Sequence, residues 1–123
     1  MKYDWLDGYC LGLPGARKDY QADWEATRYL IDEKMFLMHG ENKEKLEIVT
    51  LKLPPAVGHL MRQEYSEIVG GYYMNKEHWN SIDVNGSVPD DMLRDMIRQS
   101  HDLILKALPK KRQKELLAQE NDI

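Results

Sequence analysis

Cysteine is almost absent from this sequence. Cys10 is the single cysteine among 123 residues, so no disulfide within the chain is possible and a packed core must stabilise the fold. Cys10 falls on one side of a helical pattern with Trp5, Leu6, Tyr9 and Leu13. We therefore expect a buried, unreactive thiol, since a nucleophilic cysteine needs an exposed and electropositive setting.

Long apolar runs and an extreme net charge are missing as well. The chain has no run of about 18 apolar residues, and its first residues, MKYDWLDGY, are acidic where a signal peptide is apolar. A net charge of -4 points to no class of partner, while 42% hydrophobic and 31% charged residues exclude a disordered chain. We expect one cytoplasmic domain spanning residues 1–123, monomeric and not associated with a membrane.

The sequence motifs of catalysis are absent too. The histidines His39, His59, His78 and His101 show no ligand spacing such as HExxH, and no GxSxG, CxxC or phosphate-binding glycine loop occurs. His101 and Asp102 are adjacent, which on a helix directs them to different sides. We therefore expect neither an enzyme nor a bound cofactor.

Two acidic pairs have helical spacing, Asp4 with Asp7 and Asp91 with Asp95. Such pairs can hold a hard cation loosely. Carboxylates are, however, common in the solvated first turn of a helix, where the dipole favours them. The second explanation is the simpler one, so no metal site is predicted.

Hydropathy patterns predict an α+β fold in which helices pack on an antiparallel sheet. Strand-like segments joined by short connections favour antiparallel neighbours in a meander. They are expected at residues 26–31, 34–39 and 46–53, with a second hairpin from YYMN (72–75) and HWNSIDV (78–84). The order helix, strands, helix, strands, helix indicates α+β rather than a parallel doubly wound fold.

Amphipathic helices are predicted around this sheet. They are expected at residues 2–13, from Pro54-Pro55 to Tyr65 with Val57, Leu60 and Met61 facing inward, at 86–108, and after Pro109. In the long helix one apolar stripe is formed by Leu93, Met96, Ile97, Ser100, Ile104 and Leu108. Ser87 and Asp90 resemble a capping box at its start.

Residues 71–91, GYYMNKEHWNSIDVNGSVPDD, closely resemble the MmcQ/YjbR family of small bacterial proteins. Also similar to that family are SHDL (100–103), LPKK (108–111), CLGLPGA (10–16) and KMF (34–36). The resemblance implies a frataxin-like (CyaY-like) fold, an antiparallel sheet packed by helices, with two hairpin wings and a proposed role in DNA binding. Glu33 departs from the glycine that the family favours in its turn, and its negative charge disfavours phosphate contact by that wing.

The first candidate site is the stretch 75–80, whose polar and aromatic members are Asn75, Lys76, His78, Trp79 and Asn80. One interpretation is structural: the asparagines shape a tight turn, and the two rings pack with paired nitrogens. The other is functional: the cations meet phosphates, the asparagines bind base edges or polar ligand groups, and an exposed ring stacks on a base. Both interpretations stay open.

A second candidate is a basic segment that contains Lys106, Lys110, Lys111, Arg112 and Lys114. Cations are favoured by the dipole at the C-terminal end of a helix, where we expect these side chains. The segment is short for a phosphate-binding patch, and several aspartates stand nearby in sequence. Any binding of nucleic acid through it is therefore expected to be weak and sensitive to salt.

The sequence thus predicts a small binding module without catalysis. The first expectation is a DNA-binding protein that uses the stretch 75–80 and the cations at 110–112. The alternative is a protein-interaction or small-ligand module whose pocket lies between sheet and helix and is lined by Tyr72, Tyr73 and Trp79. Added salt should separate the two, because only DNA binding falls steeply with ionic strength.

Overall fold

A computed structural model, which describes residues 1–71 and 74–121, has a six-stranded antiparallel sheet and four helices. The strands are β1 (Ala16–Gln21), β2 (Ala26–Ile31), β3 (Lys34–Glu41), β4 (Glu47–Lys52), β5 (Ile68–Gly70) and β6 (Trp79–Asp83). The helices are α1 (Leu6–Leu11), α2 (Pro55–Glu64), α3 (Asp90–Lys106) and α4 (Lys110–Asn121). The sheet order is β1-β2-β3-β4-β6-β5. The predicted α+β class is confirmed, whereas the likeness to frataxin and the double wing stay predictions.

Strands β2 to β4 form the predicted meander, and β1 extends it at one edge. Asp32 and Glu33 alone join β2 to β3, and Asp32 has φ 52°, a left-handed conformation that aspartate tolerates better than most residues. Between β3 and β4, Asn42 Oδ1 accepts hydrogen bonds from the backbone N–H of Glu44 (2.9 Å) and Leu46 (3.0 Å). The sequence analysis misses β1, because this strand lies at the sheet edge and its sequence ARKDYQ has little apolar alternation.

The inner face of the sheet packs against the helices. Side chains alternate across a strand, so directly paired residues share one face. The row that defines the inner face is Tyr29, Leu37, Leu51 and Asn80. The predicted stripe of α3 is confirmed, since all of its members are buried. Ser100 Oγ fastens α3 to the sheet by donating to the Phe36 carbonyl (2.6 Å) and accepting from the Lys52 N–H (2.9 Å).

The other three helices lie on this same face. In α1, Asp7 accepts a hydrogen bond of 2.8 Å from the Tyr29 hydroxyl. In α2, Gly58 lies directly against the Asn80 side chain. In α4, Leu116 packs beside Gly15, and the Ile31 side chain of β2 lies next to the same glycine. The helical layer is therefore one-sided.

The outer face of the sheet has no helix packed on it in the described part of the chain. Its buried apolar residues Ala26, Leu30 and Ile48 do not belong to the main core cluster. Met35 and Met38 lie on the same side and are half-buried. The outer face thus carries its own shallow apolar layer.

Two predicted helix starts are wrong. Helix α1 begins at Leu6 rather than near residue 2, so Asp4 lies outside it. The capping box at α3 is absent, because the Ser87 N–H and hydroxyl both donate to Glu67 Oε1, at 2.6 and 2.9 Å. Pro89 occupies the cap position of α3 and no side chain caps the helix. The loop before α3 is therefore fastened to the chain that precedes β5.

Two further details differ from the predictions. Leu60 is 59% exposed, because α2 turns Gly58 and Met61 toward the sheet instead. Strand β5, which was not predicted, pairs with β6. Tyr72 and Tyr73 of YYMN lie outside the described residues, as does the predicted pocket that they line. Within residues 1–71 and 74–121 no helix is long and apolar enough to cross a membrane.

Candidate functional site

Asn75 shapes the turn that leads into β6. Its side-chain Oδ1 accepts a hydrogen bond of 2.9 Å from the Glu77 N–H, the geometry of an Asx turn. Its backbone carbonyl accepts from the N–H groups of His78 (3.2 Å) and Trp79 (2.9 Å). The local role of Asn75 is therefore structural, although its side chain is exposed.

Asn80 is fully buried on the inner face, at 0% exposure. Its Oδ1 accepts a hydrogen bond of 2.8 Å from Arg62 Nε, and its Nδ2 donates to the His78 carbonyl at 3.3 Å. Both ends of the amide are thus used inside the protein. In this structure Asn80 offers no group to a ligand at the surface.

Arg62, in the last turn of α2, holds the whole turn in place. Besides Asn80, it donates to the Trp79 carbonyl (3.1 Å) and to the Lys76 carbonyl. The sequence analysis misses Arg62. A basic residue near a helix C-terminus has an ordinary explanation in the helix dipole, and its partners stand 14 to 18 residues further along the chain.

Trp79 is the member of the stretch that faces outward. It pairs with Lys52 across β4 and β6, on the opposite side of the sheet from Asn80, and it is half-buried. No carboxylate of the described residues lies within ion-pair distance of the Lys52 ammonium. Trp79 and Lys52 therefore place an aromatic ring and a cation side by side on the outer face.

The centre of the outer face is polar and buried. Thr50 and Ser81 are cross-strand partners there, buried, with 2.8 Å between their hydroxyl oxygens. Towards β1, Arg28 binds Asp19 through two hydrogen bonds of 2.8 and 2.6 Å and lies 5.6 Å from the Trp24 ring centroid. The outer face thus carries aromatic, thioether and guanidinium groups around a centre whose two hydroxyl groups are hydrogen-bonded to each other.

The basic segment is divided between paired and unpaired cations. Arg112 makes a two-pronged ion pair with Asp32, from Nε (3.0 Å) and Nη2 (2.9 Å), and also donates to Glu115 (3.0 Å). The hydrogen bond from Arg112 holds the pKa of the Asp32 carboxyl below its usual range. Arg112 is therefore engaged within the protein.

Lys110 and Lys111 are exposed in the first turn of α4. The prediction that they lie at a helix C-terminus is wrong, since α3 ends at Lys106 and a new helix begins at Lys110. They stand at the positive end of the α4 dipole, which does not favour cations. With Lys114 they form the α4 lysines, and no carboxylate among the described residues pairs with them.

The two candidate sites lie beside different strands of the sheet. Arg112 is bound to the β2–β3 turn, whereas the stretch 75–80 leads into β6, with β4 between β3 and β6. That separation is at least two strand spacings, about 10 Å. For metals, residues 1–71 and 74–121 contain no group of three or more His, Cys, Asp or Glu side chains placed to hold an ion.

Comparison with known proteins agrees with the fold and with the motif. The family model YjbR matches residues 11–103. Uncharacterized protein YjbR of Escherichia coli K12 is 31% identical over 109 residues, covering 89% of this chain and 92% of its own. Uncharacterized protein YyaQ of Bacillus subtilis is 37% identical over 65 residues, covering 53% of this chain and 51% of its own.

Two solved structures are similar over most of the chain. Deinococcus radiodurans DR2400, whose domain is DUF419, superposes with a TM-score of 0.81 at 26% identity, covering 94% of this chain and 90% of its own. A Pseudomonas syringae protein superposes with a TM-score of 0.66 at 22% identity, covering 85% of this chain and 99% of its own, and shows the fold alone. With a family model matched over most of its length and a relative above 30% identity, this chain belongs to the YjbR family.

Proposed function

We propose that this chain is a small cytoplasmic binding module, without catalysis, that docks a protein partner on the outer face of its sheet. The observation that carries this proposal is that no helix of the described residues covers that face, although Trp79, Met35 and Met38 lie on it half-buried. Its buried apolar residues lie outside the main core cluster. An apolar sheet face without a second layer is a typical place for another molecule to pack.

The composition of the outer face favours a protein partner. Trp79, Trp24, Met35, Met38 and Arg28 lie on it or at its rim. Tryptophan, methionine and arginine are the residues enriched in protein interfaces, and tryptophan and arginine supply most binding hot spots.

The size of the face argues for a transient partner rather than a permanent dimer. Six strands about 4.8 Å apart, each contributing about five residues, give an area on the order of 400 Å². Stable complexes bury about 800 Å² on each partner. Contact through this face alone therefore suits a transient complex rather than a permanent one.

Charge defines the surface of that partner. Arg28 is neutralised by Asp19, but Lys52 beside Trp79 has no acidic partner in the described part of the chain. A face-to-face second copy would bring two Lys52 ammonium groups toward one positive surface. The face is therefore complementary to an apolar surface with a carboxylate at its rim.

Photo-crosslinking in living bacteria tests the proposal. p-Benzoylphenylalanine replaces Met38 on the outer face and, as a matched control, the exposed Leu60 of α2. We expect a protein adduct from position 38 that is absent from position 60 and lost when Lys52→Glu is added. The captured protein, once purified, should bind the Trp79→Ala variant about 30-fold more weakly than wild type, as for a hot-spot residue.

Three results would contradict this function. Adducts of equal yield from both positions would show that capture is unspecific. An adduct of this chain with itself alone would identify a dimer. Retained affinity in both Trp79→Ala and Lys52→Glu, each shown to be folded by its urea transition, would remove the outer face from binding.

DNA binding is the second candidate function, and the α4 lysines are the observation that favours it. All three are exposed and have no acidic partner among the described residues, and Lys110 and Lys111 stand at a helix end that disfavours cations, so local folding does not explain them. Together with Lys76 they would contact phosphates. A net charge of -4 and only a few such contacts predict weak, salt-sensitive binding.

Anisotropy with labelled DNA of random sequence, single- and double-stranded, at low and near-physiological salt tests this candidate. Binding through α4 should be abolished by the double change Lys110→Glu and Lys111→Glu. The matched control, Lys43→Glu with Lys45→Glu, makes the same change of charge in the β3–β4 connection and should retain most of the affinity. Equal losses in both variants would mean that net charge alone governs binding, and no binding at low salt would exclude DNA.

A further inference from the structure

A cleft of about 740 Å³ lies between the start of β1, the β2–β3 turn and α4. It is separate from the stretch 75–80, because it opens at the other edge of the sheet, beside β1. Its volume falls in the range of small-molecule sites, about 300 to 1,000 Å³. Its walls come from three distant segments, so the local sequence gives no sign of it.

One wall of the cleft is apolar. It is formed by Leu11, Leu13, Ala16 and Leu116. Gly15 has φ +74° and lies so close to Leu116 that a Cβ there would approach its side chain to 3.0 Å. The chain before β1 therefore passes directly under α4, and Leu11 stays 38% exposed at the edge of this wall.

The opposite wall carries two guanidinium groups and two carboxylates, those of Arg17, Arg112, Asp32 and Glu33. Arg112 binds the Asp32 carboxylate with Nε and Nη2, and Arg17 Nε donates to the Asp32 backbone carbonyl at 3.0 Å. Asp32 is thus fully engaged with Arg112. Arg17 faces Glu33 at 3.5 Å, but the Glu33 side chain is 94% exposed and so screens that charge only weakly.

We propose that this cleft binds an amphipathic carboxylate, a small monocarboxylic acid with an aliphatic tail. The tail lies along Leu11 and Leu13, where it removes apolar surface from water. The carboxylate binds Arg17, whose planar guanidinium matches it in two-pronged geometry, and displaces the solvated Glu33. An alkylammonium of the same shape has no acceptor for the N–H donors of Arg17, so it is not held there.

Titration of the full chain with decanoate below its micelle concentration tests the proposal, followed by amide chemical shifts. Shifts should be confined to residues 11–17, 32–33 and α4. Decanol should bind more weakly, and decyltrimethylammonium should leave these residues unshifted. Arg17→Gln should weaken decanoate binding about tenfold, as expected for one charged hydrogen-bonding group.

Two further variants, one inside the cleft and one outside it, test where decanoate binds. Ala16→Phe places a ring in the cleft and should abolish binding of decanoate, while Arg98→Gln removes an exposed arginine of α3 outside the cleft and should not change it. Shifts spread over the outer face, or equal affinity in wild type, Arg17→Gln and Ala16→Phe, would overturn the proposal. Decanol binding as tightly as decanoate would show an apolar groove without the carboxylate site, and would overturn it too.

Discussion

Arg62 Nε donates a hydrogen bond of 2.8 Å to Oδ1 of Asn80, across 18 residues of sequence. The Asn80 side chain is not exposed to solvent, so water cannot replace Arg62 as the hydrogen-bond donor to Oδ1. The same guanidinium reaches the carbonyl of Trp79. The Asn80 amide, which the motif suggests as a ligand-binding group, is therefore part of the packing between α2 and β6.

Replacing Arg62 by methionine should destabilise the protein by about 2 kcal/mol or more, because it leaves buried acceptors unpaired. Urea unfolding followed by fluorescence measures the change. The control is Arg98→Met, which removes a solvent-exposed ion pair with Asp95 and should change the free energy of unfolding by under about 1 kcal/mol. Similar losses in both variants would mean that Arg62 acts only through its charge.

Two glycines in helices should respond to alanine with opposite signs. A Cβ on Gly58 would lie 3.0 Å from Asn80 Oδ1, and that side chain is held on both sides, so Gly58→Ala should destabilise the fold by about 1 kcal/mol or more. A Cβ on Gly8 meets nothing within 4 Å. Gly8→Ala in α1 should therefore stabilise by about 0.5 to 1 kcal/mol, the gain of helix propensity. Thermal unfolding of both variants checks the signs, and stabilisation by Gly58→Ala would show that Asn80 moves aside freely.

His101 should make stability fall in mild acid. Burial lowers the pKa of its ring, against the opposing hydrogen bond from Nε2 to the Pro14 carbonyl (2.7 Å) and the charge of Asp102. The unfolded chain therefore takes up the proton at a higher pH than the folded one, near the ordinary histidine pKa of about 6.5. Stability is complete above that value and decreases as the pH falls through it.

Free energies of unfolding between about pH 7.5 and 5.5, on either side of that pKa, measure this effect. His101→Gln should flatten the dependence, while His59→Gln, at an exposed position, should keep the slope of the wild type. An unchanged slope in His101→Gln would show that another group titrates in this range.

Cys10 should be unreactive in the folded protein. Burial raises the pKa of its thiol to about 12, with a smaller contribution from Asp7. Because the thiolate is the reactive form, a disulfide reagent at about pH 8 should label Cys10 far more slowly in buffer than in concentrated urea. Equal rates would mean that α1 opens readily from the sheet.

The sequence by itself determined the fold class, most of the helices and the family. Apolar periodicity is local and strong in α3, and short connections restrict the strands to antiparallel pairs, so these features follow from neighbouring residues. β1 was missed for the converse reason: an edge strand buries little, and its sequence carries no clear alternation. The start of α3 was misassigned because Ser87 binds Glu67, 20 residues away, rather than its own helix.

The tertiary structure alone decided what the motif residues face. Adjacent residues of a strand point to opposite sides, so the fold buries Asn80 against α2 and turns Trp79 to the outer face, although both belong to one short stretch. It alone also paired Arg112 with Asp32 and left the α4 lysines at a helix start. These outcomes depend on which distant segments meet, and local sequence does not encode that because such contacts are set by the packing of the whole chain.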